Sequence, residues 1–156
     1  MLFRSVGLHA HSGMSLNDGL GYPQEHMDFA YENGSDALAL TDHGGMAGLP
    51  YQVLHARKMK ANGKKFKPIF GVEAYFNPSL EQWRVEYEKA KQEKKKGIKN
   101  DIELSIENEK ASKQKVVDIL KKRNHLILIA QNQTGLNNIF KLVSESYKDE
   151  NFYRYP

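Results

Sequence analysis

Short apolar runs alternate with stretches of helical spacing along most of this chain. Leu2 to Leu8 has the length of a strand, and a Gly- and Ser-bearing loop, His11 to Tyr22, follows it. Pro23 then opens a helical pattern in which Met27, Ala30 and Tyr31 share a face, and Gly34 is its natural stop. Asp36 to Leu40 reads as a short buried strand ending at Thr41-Asp42-His43-Gly44. A second helix is predicted from about Leu49 to Asn62, where Asn62-Gly63 ends it, and Lys67 to Phe76 is the third strand. Strand, helix, strand, helix, strand is the order of an α/β protein, and it predicts parallel strands joined by helical crossovers.

Between Pro78 and Arg123 the composition turns to Lys, Glu, Gln and Asn, with Trp83, Val85 and Tyr87 as the large apolar groups near its start. This segment, 78–123, reads as a charged helical insertion. A fourth strand, His125 to Gln131, follows it. Thr134 is the expected cap of a helix with apolar positions Leu136, Ile139, Phe140 and Val143. From Lys148 to Pro156 no period is visible and no element is completed, so the sequence is expected to be the front piece, 1–156, of a longer domain.

Composition narrows the classes. With 156 residues, 40% hydrophobic, the chain can bury one core of ordinary domain size. Its longest apolar runs, such as Leu126 to Ala130, are far below the roughly 20 residues of a membrane span. Met1 to Ala10 carries Arg4 and His9 and lacks the apolar run of a secretory signal. The absence of cysteine rules out a disulfide framework and fits a reducing cytoplasm. A net charge of +4 mildly favours polyanionic partners, but much of the lysine falls in Lys89 to Lys122, where interleaved Glu cancels most of its field.

Potential metal ligands fall in clusters where successive strands end: His9, His11 and Asp18, then Asp42 and His43, then Glu73. In a parallel βα architecture those ends share one face, so the clusters are expected to converge. His9 and His11, two apart on extended chain, point to the same side. Imidazoles and carboxylates without thiolate suit Zn or Mn and leave positions for water and phosphate oxygens. Alone, each element has an ordinary reading: His-Ala-His can be incidental, Thr-Asp-His-Gly can be a turn, and Glu73 can be a solvated strand-end charge. His125, at the start of a strand, reads equally well as a capping or half-buried histidine. His26 and His55 lie inside predicted helices and are taken as structural or surface residues. It is the coincidence of three clusters at three strand ends that points to chemistry.

Leu8-His9-Ala10-His11-Ser12 with Ser15-Leu16-Asn17-Asp18-Gly19, then Ala37-Leu38-Ala39-Leu40-Thr41-Asp42-His43-Gly44, then Lys67-Pro68-Ile69-Phe70-Gly71-Val72-Glu73-Ala74-Tyr75 resemble the PHP (polymerase and histidinol phosphatase) domain of bacterial DNA polymerase III alpha subunits. His125-Leu126-Ile127-Leu128-Ile129-Ala130-Gln131-Asn132, Thr134-Gly135-Leu136 and Lys141-Leu142-Val143-Ser144 are similar to the same family in the same order. The resemblance covers Phe3 to about Phe76 and Asn124 to Tyr155. It implies an incomplete distorted (β/α)7 TIM-like barrel with two to three divalent ions in the complete domain. The implied ligands are His9, His11, Asp18, His43, Glu73 and His125, which lifts His125 above its ordinary reading, with Asp42 orienting a ligand histidine. Further family ligands, a Cys or similar and an Asp-x-His pair, are expected beyond Pro156.

The resemblance also implies DNA as substrate and partner through a parent polymerase, with the sliding clamp among other replication partners. It implies a 3′–5′ exonuclease in relatives that keep the ligands and a structural role in those that lost them. Two other functions are consistent with the residues: a stand-alone phosphatase of the histidinol-phosphate type, and a non-catalytic module that stabilises a polymerase.

Overall fold

The computed structural model describes residues 5–15, 18–97, 110–111, 113–114, 118 and 124–151, and for 94–97 the backbone only. The fold is mixed α/β. The elements run α1 (Pro23–Glu32), β1 (Ala37–Leu40), α2 (Leu49–Ala61), β2 (Lys67–Phe76), α3 (Leu80–Gly97), β3 (Asn124–Ile129) and α4 (Gln133–Ser146). The chain divides into two compact units, Met1–Tyr75 with His125–Pro156, and Phe76–Asn124.

In the first unit the sheet has the order β1-β2-β3. β1 pairs in parallel with the first half of β2, Ala37 opposite Lys67 and Leu40 opposite Phe70. Ala37, Ala39 and Leu40 are buried, as a strand covered on both faces requires. Helix α1 packs on β1 and on α2, and Pro23, Met27, Met59, Val72 and Ile139 are further buried apolar residues among those described in this unit. Glu25 holds the start of α1 by accepting from Tyr22 N at 2.6 Å, and Gly34 and Gly63, at φ 87° and 73°, turn the chain after α1 and α2.

Three features differ from the sequence-based expectation. Within Leu2 to Leu8, the described residues form no strand but one parallel bridge, Gly7 to Leu38. Ala39 N donates to Gly7 O and Thr41 N to Ala10 O, each at 2.8 Å, so the segment lies along the free edge of β1. Second, β3 does not follow the parallel pattern. Ala130 N donates to Phe70 O, a Cβ on Gly71 would stand 2.5 Å from Leu128 O, and His125 reaches Glu73, so the partner number falls as β3 advances. That is the sense of an antiparallel pair. Third, the cap of α4 is Asn132, whose Oδ1 accepts from Gly135 N at 2.9 Å; Thr134 already lies inside the helix.

The second unit contains α3. Trp83, Tyr87 and Ala90 share one face, Trp83 and Ala90 are buried, and the Trp83 and Tyr87 rings stack at 5.1 Å. Lys91 to Glu93 are exposed. Within 78–123, residues 98–109, 112, 115–117 and 119–123 lie outside those described. Among the described residues, no helix is long and apolar enough to cross a membrane.

Candidate metal centre

The site is built where β1 has ended and β2 continues. Past Leu40 the chain stays beside β2 long enough for His43 to bridge to Glu73, with Glu73 N donating to Asp42 O and Gly44 N to Glu73 O. Glu73 therefore lies inside β2, three residues short of its end at Phe76, rather than at a strand end. Its side chain is 1% exposed.

Four histidines surround that carboxylate. On Oε2 stand His9 Nε2 at 2.5 Å and His11 Nε2 at 3.0 Å; on Oε1 stand His43 Nδ1 at 3.5 Å and, closer, His125 Nδ1. Asp18 completes the cluster, with Oδ2 at 2.7 Å from His43 Nε2 and 3.7 Å from His11 Nε2. The His11 and His43 rings stack at 4.3 Å with 7° between planes, and Tyr75 stacks on His43 at 5.7 Å with its hydroxyl 3.2 Å from Nδ1.

All six residues singled out as ligands in the sequence fall into three overlapping triads: His9-His11-Glu73, His11-Asp18-His43 and His43-Glu73-His125. His26 and His55 enter none of them. His26 bonds Leu20 O at 2.6 Å, and His55 pairs with Asp28 at 3.0 Å between α1 and α2. The antiparallel β3 explains why His125, at the start of its strand, arrives beside Glu73 in the second half of β2 and His43 beyond the end of β1.

Asp42 is buried and does not touch a histidine side chain. Its carboxylate accepts from Ser12 N at 2.7 Å, from Ser12 Oγ on both oxygens at 3.1 and 2.9 Å, and from Ser15 Oγ at 3.1 Å. Ser12 and Ser15, both buried, were not foreseen as site residues, and neither was Tyr75. A serine in a Gly- and Ser-bearing loop has no signature of its own; its role becomes visible only through the carboxylate it satisfies.

Electrostatics favour ionised carboxylates. Burial pushes the Glu73 carboxyl upward, but the hydrogen bond from His9 and the charges of His43, His125 and His11 outweigh it and hold it below the ordinary range. The hydrogen bond from His43 holds Asp18 below its ordinary range against a smaller desolvation effect, with His11, His43 and His9 adding charge. The residues fit divalent ions on a structural ground. His9 Nε2 and His11 Nε2 lie 3.0 Å apart beside one carboxylate oxygen, and Oε1 is buried without a hydrogen bond of ordinary geometry. Lone-pair atoms this close together call for protons or cations between them, and nitrogen and oxygen donors without sulfur suit divalent ions such as Zn or Mn.

Four histidines and two carboxylates gathered around Glu73 of the central strand form a candidate metal centre on an α/β fold. The chain belongs to the PHP domain family, whose pattern matches residues 7–156. Curated relatives named DNA polymerase III subunit alpha are 34% identical over 96% of this chain in Aquifex aeolicus, 31% over 96% in Treponema pallidum and 32% over 99% in Borreliella burgdorferi. The chain spans about 10% of the length of each of these relatives. A solved amidohydrolase from Chromobacterium violaceum is 23% identical, with a TM-score of 0.40 over 59% of this chain and 36% of that one, too distant to bear on the chemistry.

Proposed function

We propose that this chain is the metal-binding front part of the PHP domain of a replicative DNA polymerase III alpha subunit, and that the site hydrolyses phosphodiester bonds at DNA 3′ ends as a proofreading exonuclease. The observation that carries the reading is Glu73, whose two buried oxygens each face a different pair of histidines, the arrangement of a carboxylate shared between neighbouring cations.

His9, His11, Asp18, His43, Glu73 and His125 would be the chief ligands of the two or three Zn or Mn ions of the complete domain. Bound ions would supply the positive charge that a phosphate and an attacking water need. The residues themselves grade from a buried floor to an open rim. Glu73 is 1% exposed, His11 and His43 are 17% and 18%, and His9, Asp18 and His125 are 54%, 52% and 47%. A phosphate can approach over that rim, while Asp42, Ser12 and Ser15 hold the loop beneath it. The parent protein on this reading is a cytoplasmic DNA-directed DNA polymerase, with DNA and the sliding clamp as partners.

Elemental analysis of the purified protein, beside hydrolysis of 3′-labelled single-stranded DNA, tests the proposal. We expect two to three ions per chain in the full-length wild type, loss of most of them in His9→Ala with His11→Ala, and a parallel loss of hydrolysis. Unchanged metal in the double variant would sink the site; a metal-replete protein that cleaves histidinol phosphate but not DNA would make it a small-molecule phosphatase.

A further inference from the structure

Ser15 Oγ has one proton to donate and two lone pairs. Three neighbours compete for them. The backbone N–H of His43, at 2.9 Å, can only donate, so it occupies one lone pair. Asp42 Oδ1 lies at 3.1 Å and His11 Nδ1 at 3.5 Å. The carboxylate is both nearer and charged, and a charge-assisted hydrogen bond is roughly twice as strong as a neutral one, so the serine proton goes to Asp42. The remaining lone pair then faces His11 Nδ1, and that contact is favourable only if the proton sits on the imidazole.

Ser12 strengthens the same assignment. Its hydroxyl accepts from Met14 N at 3.2 Å and its N–H and O–H both donate to Asp42, so Asp42 meets donors only. On the far side of the ring, His11 Nε2 lies 3.0 Å from Glu73 Oε2 and 3.0 Å from His9 Nε2. Through its carbonyl, Ser15 also accepts from Asp18 N and Gly19 N, each at 3.2 Å. One buried residue is thus tied to His11 by its side chain, to His43 through a backbone amide, and to Asp18 through its own backbone.

Resting on the metal reading above, we infer that Ser15 is a positioning residue of the centre. By donating to Asp42 and accepting from His43 N–H, its hydroxyl obliges His11 to carry its proton on Nδ1 and to present the Nε2 lone pair to the cation. Asp42 therefore orients a ligand histidine through Ser15, not by direct contact.

The test combines chelator competition for Zn2+ with long-range proton–nitrogen NMR of histidine-labelled, Zn2+-loaded protein, on wild type and Ser15→Ala. The protein is loaded because without a cation Glu73 Oε2, 3.0 Å from His11 Nε2, would compete for the ring proton. The wild type is expected to show His11 protonated on Nδ1. Ser15→Ala is expected to shift that population toward Nε2 and to weaken Zn2+ binding by about 10- to 100-fold, the usual size for loss of an orienting partner. A His11 protonated on Nε2 in the wild type overturns the inference, even where the variant does not fold. Equal Zn2+ affinity in the two proteins also overturns it while leaving the metal site standing. A wild type that binds no Zn2+ removes the functional proposal, and this inference with it.

Discussion

The two units of this chain use charged residues in opposite ways. In the first, Glu73 and Asp42 are buried and surrounded by donors, so each carboxylate is held by four or more contacts from distant parts of the sequence. In the second, α3 carries its charges on an exposed surface, where pairs such as Lys91–Glu88 at 3.6 Å are one turn apart and half exposed. Exposed pairs of that kind contribute at most about 1 kcal/mol and are replaceable, whereas removing a partner of a buried charge costs about 3 to 5 kcal/mol. The density of long-range contacts on a charge, more than the number of charges, separates a site from a surface.

The sharpest way to break this contrast is at Glu73. Glu73→Gln keeps the shape and removes the charge that all four histidines face. We expect metal affinity to fall by at least about 100-fold, or about 2.8 kcal/mol at 1.4 kcal/mol per decade. The substitution also changes the acid limb of stability. The folded-state carboxyl is held below its ordinary value of 4.5, so its stabilisation is full above that pH and is lost as pH falls through the lower folded-state value. Denaturant midpoints of metal-free protein, followed downward from about pH 5.5, should therefore fall less steeply in the variant than in the wild type. Parallel curves with unchanged metal binding would mean that Glu73 is an ordinary buried carboxylate.

Asp42→Ala is expected to act next most strongly, and differently. It would leave Ser12 N–H and two buried hydroxyls without their acceptor, for a cost of about 1 to 3 kcal/mol in urea unfolding. Metal affinity should drop by about tenfold, because the loop that carries Asp18 and holds His11 loses its anchor. A loss of affinity as large as that of Glu73→Gln would instead put Asp42 among the ligands.

What the sequence could and could not reveal follows from the same distinction. β2 at Lys67–Phe76 and α2 at Leu49–Ala61 were legible to within a residue, because apolar runs and the Asn62-Gly63 stop are local signals. The candidate ligands His9, His11, Asp18, His43 and Glu73 were singled out because His and carboxylate recur near successive strands, whereas His125 was singled out only through the family resemblance; the structure brings all six together. Strand direction was not, since a run such as His125-Leu126-Ile127-Leu128-Ile129 reads the same whether its neighbour is parallel or antiparallel. Ser12 and Ser15 were invisible for the reason already given: their significance lies in Asp42, 30 and 27 residues away.

The smallest expected effect lies in the second unit. All six proposed ligands, and the serines and Asp42 behind them, come from the first unit, and we expect the charged insertion to be dispensable for the metals. Replacing Glu88–Ser112 by a short Gly/Ser linker keeps the Trp83–Tyr87 stack and, among the described residues, removes the small buried side chain of Ala90 along with exposed Lys89 and Lys91. Away from caps and buried polar groups, surface changes alter stability by about 0.5 kcal/mol, so metal affinity and DNA hydrolysis should remain within about twofold of the wild type. The same deletion removes Lys94, Lys95 and Lys96, whose charge suits phosphate contacts. If those lysines held DNA, hydrolysis would fall and its salt dependence would flatten while metal content stayed constant. If metal content itself fell, the insertion would be part of what supports the site, and the contrast between the two units would fail.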